Sequence, residues 1–576
     1  MQRRDFLRNV AIASAGLSIP NLYGFEKISI HKNGDLLIAQ RKSTLDVIAS
    51  VDVLVVGATA AGIAAALSAA QKGASVYVVG SAPYLGTDIC GTLRLWDVEK
   101  GESTSFSQSL LQQGNVPHPA HVKRVLQKHL LDQDIPFLLS TFVGGVVLDE
   151  DGEIGGLVLA NRSGEQVIKA PIIIDATETA LVARLNGNEF KKQSRQRAEY
   201  RFTTIGNTPK ENLKYKTLPP LVFDGKNYAA TEYSFTPKEA VKDFEELQVL
   251  EQSIRDQTWD TEQVDASDVL YEIPNLNVVG KTSSPIRFQD SESTPLWALQ
   301  PEKSDRLFML NAYADISFAD KEKMMLPGNM IAMGIRLGEH VAGIAAEITS
   351  AKLVHIKERT GQVQPGDQGE VFNRKMRPVH QIEKITVDSE RVPLAGSFDN
   401  VVVGGGTAGA CAAISSASYG SKTVVIEYMH GLGGMGTLGL IGRYWVGYRE
   451  GFTKEIDEGV RKMAPADHPR QKKRKADWVK DWKMEWYRKE IQKPGGVVWF
   501  GAIACGAVVE GKTVKGVVLA TPYGKRAVMA KNLIDATGSA DIAIAAGAPF
   551  EFIHADSVAV QGSGLPKADP DDHYNN

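Results

Sequence analysis

The sequence predicts an α/β protein of two related modules, each a parallel sheet with an inserted β-meander, the first carrying a mixed α+β cap. Three observations carry this expectation. Residues 53–80 read VLVVGATAAGIAAALSAAQKGASVYVVG and residues 401–427 read VVVGGGTAGACAAISSASYGSKTVVIE, each an apolar run, a glycine turn, a small-residue helix and a second apolar run. That is the strand, turn, helix, strand pattern of a dinucleotide-binding unit. Further along, Gly156-Leu157-Val158-Leu159-Ala160 returns as Gly516-Val517-Val518-Leu519-Ala520, and Asp175-Ala176-Thr177 returns as Asp535-Ala536-Thr537, each 360 residues later. Finally, 576 residues with 43% apolar content suffice for several cores, since a single core stops growing at about 250–300 residues.

Composition excludes several function classes. With 65 basic and 68 acidic residues the net charge is −3, so no global field favours nucleic acid or an anionic surface. Three cysteines, Cys90, Cys411 and Cys505, are too few and too scattered for a disulfide framework or a zinc cluster, and no metal site is expected. The small-residue stretches near Gly57 and Gly404 are broken by glycines and polar groups, so no membrane span is expected.

Residues 1–20, MQRRDFLRNVAIASAGLSIP, resemble a bacterial twin-arginine export signal, with Arg3 and Arg4 ahead of Asp5, Phe6 and Leu7. The resemblance implies a signal over residues 1–30, recognition by an export machinery, and a periplasmic or otherwise exported protein. The first module is expected over residues 50–350, with its cap at 190–301. Residues 351–397 are polar and rich in glycine and proline, and read as a linker; the second module follows over 398–576.

The two fingerprints are not equal. The second has Gly404, Gly406 and Gly409 in G-x-G-x-x-G, and Glu427 ends its second strand. The first glycine allows the tight turn, the second lets the backbone approach a pyrophosphate, and the third lets helix pack on strand. The pyrophosphate rests on the helix N-terminus and the acid accepts hydrogen bonds from a ribose. The first fingerprint keeps Gly57 and Gly62 but has Thr59 for the middle glycine and Gly80 for the acid. The second module is therefore expected to hold the dinucleotide.

These residues resemble the FAD-dependent oxidoreductases related to the fumarate reductase and succinate dehydrogenase flavoproteins. Four elements match: the G-x-G-x-x-G unit, Glu427, the turn Gly431-Leu432-Gly433-Gly434-Met435-Gly436, and Ile534-Asp535-Ala536-Thr537-Gly538. The resemblance implies two Rossmann-like FAD-binding modules and an FAD held by Gly404, Gly406, Thr407, Ala408, Gly409, Glu427, Gly433, Gly434, Ala536 and Gly538. In the first module Glu178 stands where Gly538 does, a third departure beside Thr59 and Gly80. Residues 311–347 resemble the closing segment that returns over the flavin. The second module has no counterpart before Asn576, so the chain is expected to be a piece of a longer protein, or its first module to supply the missing cover of an otherwise exposed sheet.

Chemistry is expected in residues 438–452, LGLIGRYWVGYREGF, which in such flavoproteins pass near the ring system. Arg443, Tyr444, Trp445, Tyr448 and Arg449 are the candidates: an arginine to hold a carboxylate, a tyrosine to relay a proton. The plainer reading makes the aromatics core and the arginines surface. His430 is given no role. Trp478, Trp482 and Trp486 recur every four residues, either as a buried helix face or as a sugar-stacking platform. The expected activity is oxidation of a small organic substrate by FAD, with an electron acceptor that no residue identifies. The rivals are a protein with flavin in both modules and a non-catalytic, carbohydrate-related scaffold.

Overall fold

A computed structural model describes residues 37–40, 43–112, 116–193, 196–348, 353–356, 370–372, 383–387, 390–444, 447–472 and 476–551. The expected export signal, Trp445, residues 473–475 and the tail after residue 551 lie outside these residues.

In the first module β1 (Val53–Val56) runs through a glycine turn into α1 (Ala60–Gln71) and returns as β2 (Val76–Val79). After β3 (Phe137–Leu138) the chain makes an antiparallel meander, β4 (Phe142–Asp149), β5 (Ile154–Asn161) and β6 (Gly164–Lys169), and re-enters as β7 (Ile172–Asp175). Beyond the cap, β8 (Leu307–Met309) completes a parallel sheet in the order β8-β7-β1-β2-β3. β1 and β7 are uniformly apolar apart from Asp175 because both of their faces are covered. The helix α2 (Pro327–Glu347) crosses α1 with the backbones nearly touching: a Cβ at Gly334 would stand 2.4 Å from Ala61 O, and one at Gly338 2.2 Å from Ala65 O. Glycines one turn apart on one helix and alanines one turn apart on the other permit that approach.

The second module repeats this path. β9 (Glu390–Val403) leads to α3 (Thr407–Ser418) and β10 (Thr423–Glu427), then to α4 (Lys480–Gln492) and β11 (Val497–Phe500). The meander follows as β12 (Ile503–Glu510), β13 (Thr513–Thr521) and β14 (Gly524–Asp535), and α5 (Asp541–Ala545) comes next. The order β14-β9-β10-β11 matches β7-β1-β2-β3, but β14 runs unbroken through the positions that β6 and β7 divide. Meander and parallel strands therefore share one eight-stranded sheet here.

The expected linker differs from a loop wherever it is described. Leu353–Ile356 pairs with β4, Glu370–Phe372 with β12, and Lys384–Val387 with the strand Ser43–Ser50. Leu353–Ile356 and Lys384–Val387 are edge strands, which need a ladder partner on one side only, while Glu370–Phe372 is also paired on its other side by Leu37–Gln40.

The cap is an antiparallel sheet of Tyr215–Phe223, Lys226–Phe235, Glu199–Ile205, Asp265–Ala266 and Tyr271–Ile273, with the helix Phe244–Thr258. Its Tyr200, Phe202, Phe244 and Ile254 share one core with Val401, Val424, Ile426 and Trp499 of the second module. One face of the second sheet is thus covered by a segment some 150–300 residues earlier in the chain, a contact no local pattern announces. On the opposite face α4 packs against α3, and the tryptophans on it and just before it are core: Trp478, Trp482 and Trp486 are 7%, 1% and 8% exposed. The sugar-stacking platform is excluded, because no ring face is open to a ligand.

Candidate functional site

At the end of β9 the backbone turns through Gly404, φ +92°, where a Cβ would stand 2.4 Å from Ala536 O of the neighbouring strand end. A Cβ at Gly409 would stand 1.8 Å from Gly404 O. Both glycines are required by the protein's own packing. Gly406 is different: its φ is −66°, which any residue adopts, and a Cβ there would meet nothing within 4 Å. No described residue asks for a glycine at that position. The N-terminus of α3 has no side-chain cap, and Thr407 and Ala408 are exposed, so its free N–H groups face open space.

The glycine turn is seated on this helix end. Gly433 N–H donates to Gly405 O at 2.8 Å, Thr407 Oγ1 donates to Gly433 O at 3.0 Å, and a Cβ at Gly434 would stand 3.1 Å from Gly406 Cα. Glu427 is aimed by two backbone donors, Gly405 N–H at 2.7 Å and Met429 N–H at 3.0 Å. Burial pushes its carboxyl up, and those N–H groups oppose the shift. The Asp-Ala-Thr run proves to be a staple. Asp535 accepts from Thr537 Oγ1 at 2.7 Å and from Ile542 and Ala543 N–H at 3.0 and 2.9 Å, while Thr537 Oγ1 accepts from Asp541 N–H at 2.9 Å. It folds residues 536–540 beside Gly404, with Gly538 at φ +81° and open in front.

The first module has the same skeleton with the helix end closed. Gly57 and Gly62 repeat the two internal approaches, to Ala176 O at 2.3 Å and Gly57 O at 2.5 Å. Asp175 repeats the staple through Thr177 and Ala183. But Thr59 Oγ1 accepts from Gly62 N–H at 3.0 Å, and Asp88 Oδ1 accepts from Ala60 N–H at 2.9 Å. A hydroxyl and a carboxylate of the protein occupy the donors a phosphate would use. Glu178 lies beside them, bonded to Thr87 Oγ1 at 2.6 Å. Burial pushes the Asp88 carboxyl up to about 6, with Ala60 N–H opposing and the Glu178 charge adding to the rise. Thr59, Asp88 and Glu178 line a cleft together with Arg94, Tyr271 and Glu272.

Asp88 escaped the sequence reading, although Gly86 aligns with Gly433 and both turns bond back alike, Gly86 N–H to Ala58 O at 2.6 Å. Counting on from that glycine sets Asp88 against the exposed Met435. A second missed relation is the pair Ala58/Gly80 against Gly405/Glu427. A Cβ at Gly80 would stand 2.7 Å from Ala58 Cβ, whereas Gly405 leaves room for the Glu427 side chain.

The substrate-facing candidates do not converge. Arg443 is about half exposed and approaches Asp477 at 3.6 Å, Tyr448 is 83% exposed, and Arg449 is exposed; Trp445 lies outside the described residues. His430 packs near Phe500. Tyr444 alone turns inward, its ring 4.6 Å from Trp478, and burial pushes its hydroxyl up to about 12. There it meets a residue no motif singled out. Lys483 is 3% exposed, with Nζ 3.5 Å from the centre of the Trp478 ring and 3.4 Å from Tyr444 Oη. Among the described residues it has no carboxylate within ion-pair distance, and burial pulls its ammonium down to about 8, against the raising influence of Asp457. It adjoins the glycine turn: Trp478 Nε1 donates to Gly436 O at 2.7 Å, and a Cβ at Gly436 would stand 3.9 Å from Lys483 Nζ.

A family model described as FAD dependent oxidoreductase matches residues 52–282 and 399–562. No curated protein matches the chain. Solved structures are similar at low identity. They include BexE, described for oxidation during BE-7585A biosynthesis, at 15% identity over 51% of this chain and 63% of that one, TM-score 0.33. The OxyS anhydrotetracycline hydroxylase from Streptomyces rimosus gives 12% identity, 52% and 63%, TM-score 0.30. A flavoprotein/dehydrogenase from Cytophaga hutchinsonii gives 14%, 53% and 80%, TM-score 0.32. The chain thus spans less than two thirds of the length of the first two.

Proposed function

The chain belongs to the FAD-dependent oxidoreductase family, and we propose that it oxidises a small organic substrate with one FAD held by the second module, the first serving as a partner without nucleotide. The observation that carries this reading is Gly406: among the described residues nothing needs a glycine there, while Thr59 and Asp88 fill the equivalent space in the first module. The free N–H groups of α3 receive the pyrophosphate, Glu427 accepts from the ribose hydroxyls, and the Gly433-Gly434 turn and the Ala536 to Gly538 backbone flank the nucleotide. FAD, when bound, takes up a hydride from the substrate. Lys483, buried against the turn and touching Tyr444, is the group best placed to hold or give up a proton near neutral pH. Among the described residues no carboxylate is ion-paired with it, and burial outweighs the pull of Asp457, which supports this reading because such an amine exchanges its proton near neutral pH. The paired Arg3-Arg4 signal supports export of the folded chain, and the shared path of the two modules supports duplication of one ancestral unit.

The flavin stoichiometry of the purified full-length protein is the test. One FAD per chain is expected, and Glu427→Ala should weaken its retention by about ten- to a hundredfold, the loss of one or two charge-assisted hydrogen bonds. Two flavins per chain would end the division of labour, and no flavin under any loading condition would end the enzyme reading.

A further inference from the structure

The two modules meet through their meanders. Phe142 and Ala160 of the first pack into one core with Ile503, Val518, Ala520 and Ala527 of the second. The contact is reciprocal. The turn after β5 reaches the Asp535 staple of the second module, and the turn after β13 reaches the Asp175 staple of the first, where Thr179 Oγ1 donates to Pro522 O and the Arg184 guanidinium lies 5.7 Å from the Tyr523 ring. Glu165 and Lys525, each the residue after the glycine that opens its strand, form a buried ion pair between the modules, 3% and 2% exposed. Equivalent positions touching each other is the signature of a two-fold interface. In a pair of identical subunits that contact would set like charges together; within one chain the two positions have become opposite.

The two ends of this interface differ where it matters. At the first module's closed site the visiting turn offers Pro522. At the second module's open site it offers Arg162, whose Nε donates to Asp541 Oδ2 at 2.8 Å and whose Nη2 donates to Ser539 Oγ at 2.9 Å and to Thr537 O at 3.5 Å. Those partners lie on both sides of Gly538, and the guanidinium charge also acts on Glu427 and Tyr428. In the first module Leu181 stands at the Asp541 position, so the clamp belongs to the open site alone.

We infer that Arg162 of the first module is a positioning residue of the second module's FAD site, clamping the 537–541 turn around Gly538 so that nucleotide affinity in one module depends on docking of the other. The inference rests on the assignment of FAD to the second module. A forked guanidinium held by three acceptors fixes the turn's orientation in a way a lysine does not. Asp541 is 6% exposed, and removing its partner leaves a carboxylate buried without a cation.

The experiment titrates FAD, and separately ADP, into the full-length apoprotein of five variants, Glu427→Ala among them. Arg162→Ala is expected to weaken both ligands by about tenfold or more, Arg162→Lys to recover only part of the loss, and the double change Arg162→Asp with Asp541→Arg to restore most of it. Pro522→Ala, the matching position at the closed site, should leave both affinities within about twofold, and circular dichroism should report the same fold throughout. If Glu427→Ala weakens binding while Arg162→Ala does not, the clamp is overturned and the site stands. If neither weakens it, the site assignment falls and the clamp with it.

Discussion

The two helix N-termini of this molecule, α1 and α3, share a turn, a neighbouring staple and two of three fingerprint glycines, yet one is sealed and the other open. At α1 the protein supplies its own oxygen atoms, from Thr59 and Asp88. At α3 it supplies none to the first turn and keeps Gly406 clear. The lesson is that fold and binding are separable: the fingerprint glycines that touch protein persist in both units, and Gly406, which no described residue crowds, persists in one.

The sharpest way to break this contrast is to seal the open end. Gly406→Asp places a carboxylate where the pyrophosphate is expected, and should weaken FAD binding by at least about a hundredfold, since like charge and lost space act together. Fluorescence titration of the apoprotein measures it, and an unchanged affinity would show that the nucleotide does not approach α3. In the first module, Asp88→Asn should leave the flavin count unchanged, because Thr59 still caps α1 and Glu178 still stands beside it.

Lys483→Met is expected to act on two readouts in opposite directions. It should abolish a kinetic pKa near the lysine's and lower kcat by about 10²–10⁴, the usual contribution of a positioned acid or base. It should also stabilise the apoprotein below about pH 8 by a few kcal/mol. The folded state holds this amine at about 8 and the unfolded chain at its ordinary value near 10.5, so between those values the unfolded state binds more protons and stability rises with pH. The gain from Met should therefore fade across that window; denaturant unfolding at pH 7, 9 and 11 gives the slope.

Asp88 gives a smaller effect of opposite slope. Its carboxyl is raised to about 6 from about 3.8, so between those values the folded state binds more protons and stability falls as pH rises. Asp88→Asn should add on the order of 1 kcal/mol at pH 7 and nothing at pH 3.5, again read from denaturant midpoints. A gain that persists at pH 3.5 would assign the effect to packing instead of charge.

Much of this was legible beforehand, wherever a residue's reason lies within a few positions of it. The strand, turn and helix of each fingerprint are local, and so is the staple of Asp535, whose partners all lie within eight residues. Glu427 stood out because the distance from turn to acid is one helix and one strand. The candidates at Arg443, Tyr448 and Arg449 fared worse, because a residue on an exposed loop carries no sequence mark of whether it faces a site or solvent. The tryptophan stripe showed a buried face without showing that the same helix would bury Lys483 against Tyr444.

By itself, the sequence determined the α/β class, the two glycine-turn units, and which of them carries the full G-x-G-x-x-G run with an acid after it. Those depend on backbone geometry, which φ, ψ and short hydrogen bonds fix locally. The tertiary structure decided how the closed site is closed, what covers the second sheet, and which module's arginine reaches the open turn. Asp88 and Ala60 are 28 positions apart, Arg162 and Asp541 are 379, and Phe244 and Trp499 meet only when the cap folds over. Contacts of that kind arise from packing whole modules against each other, and the energy that selects them is shared among many side chains, none of which names its partner in the sequence.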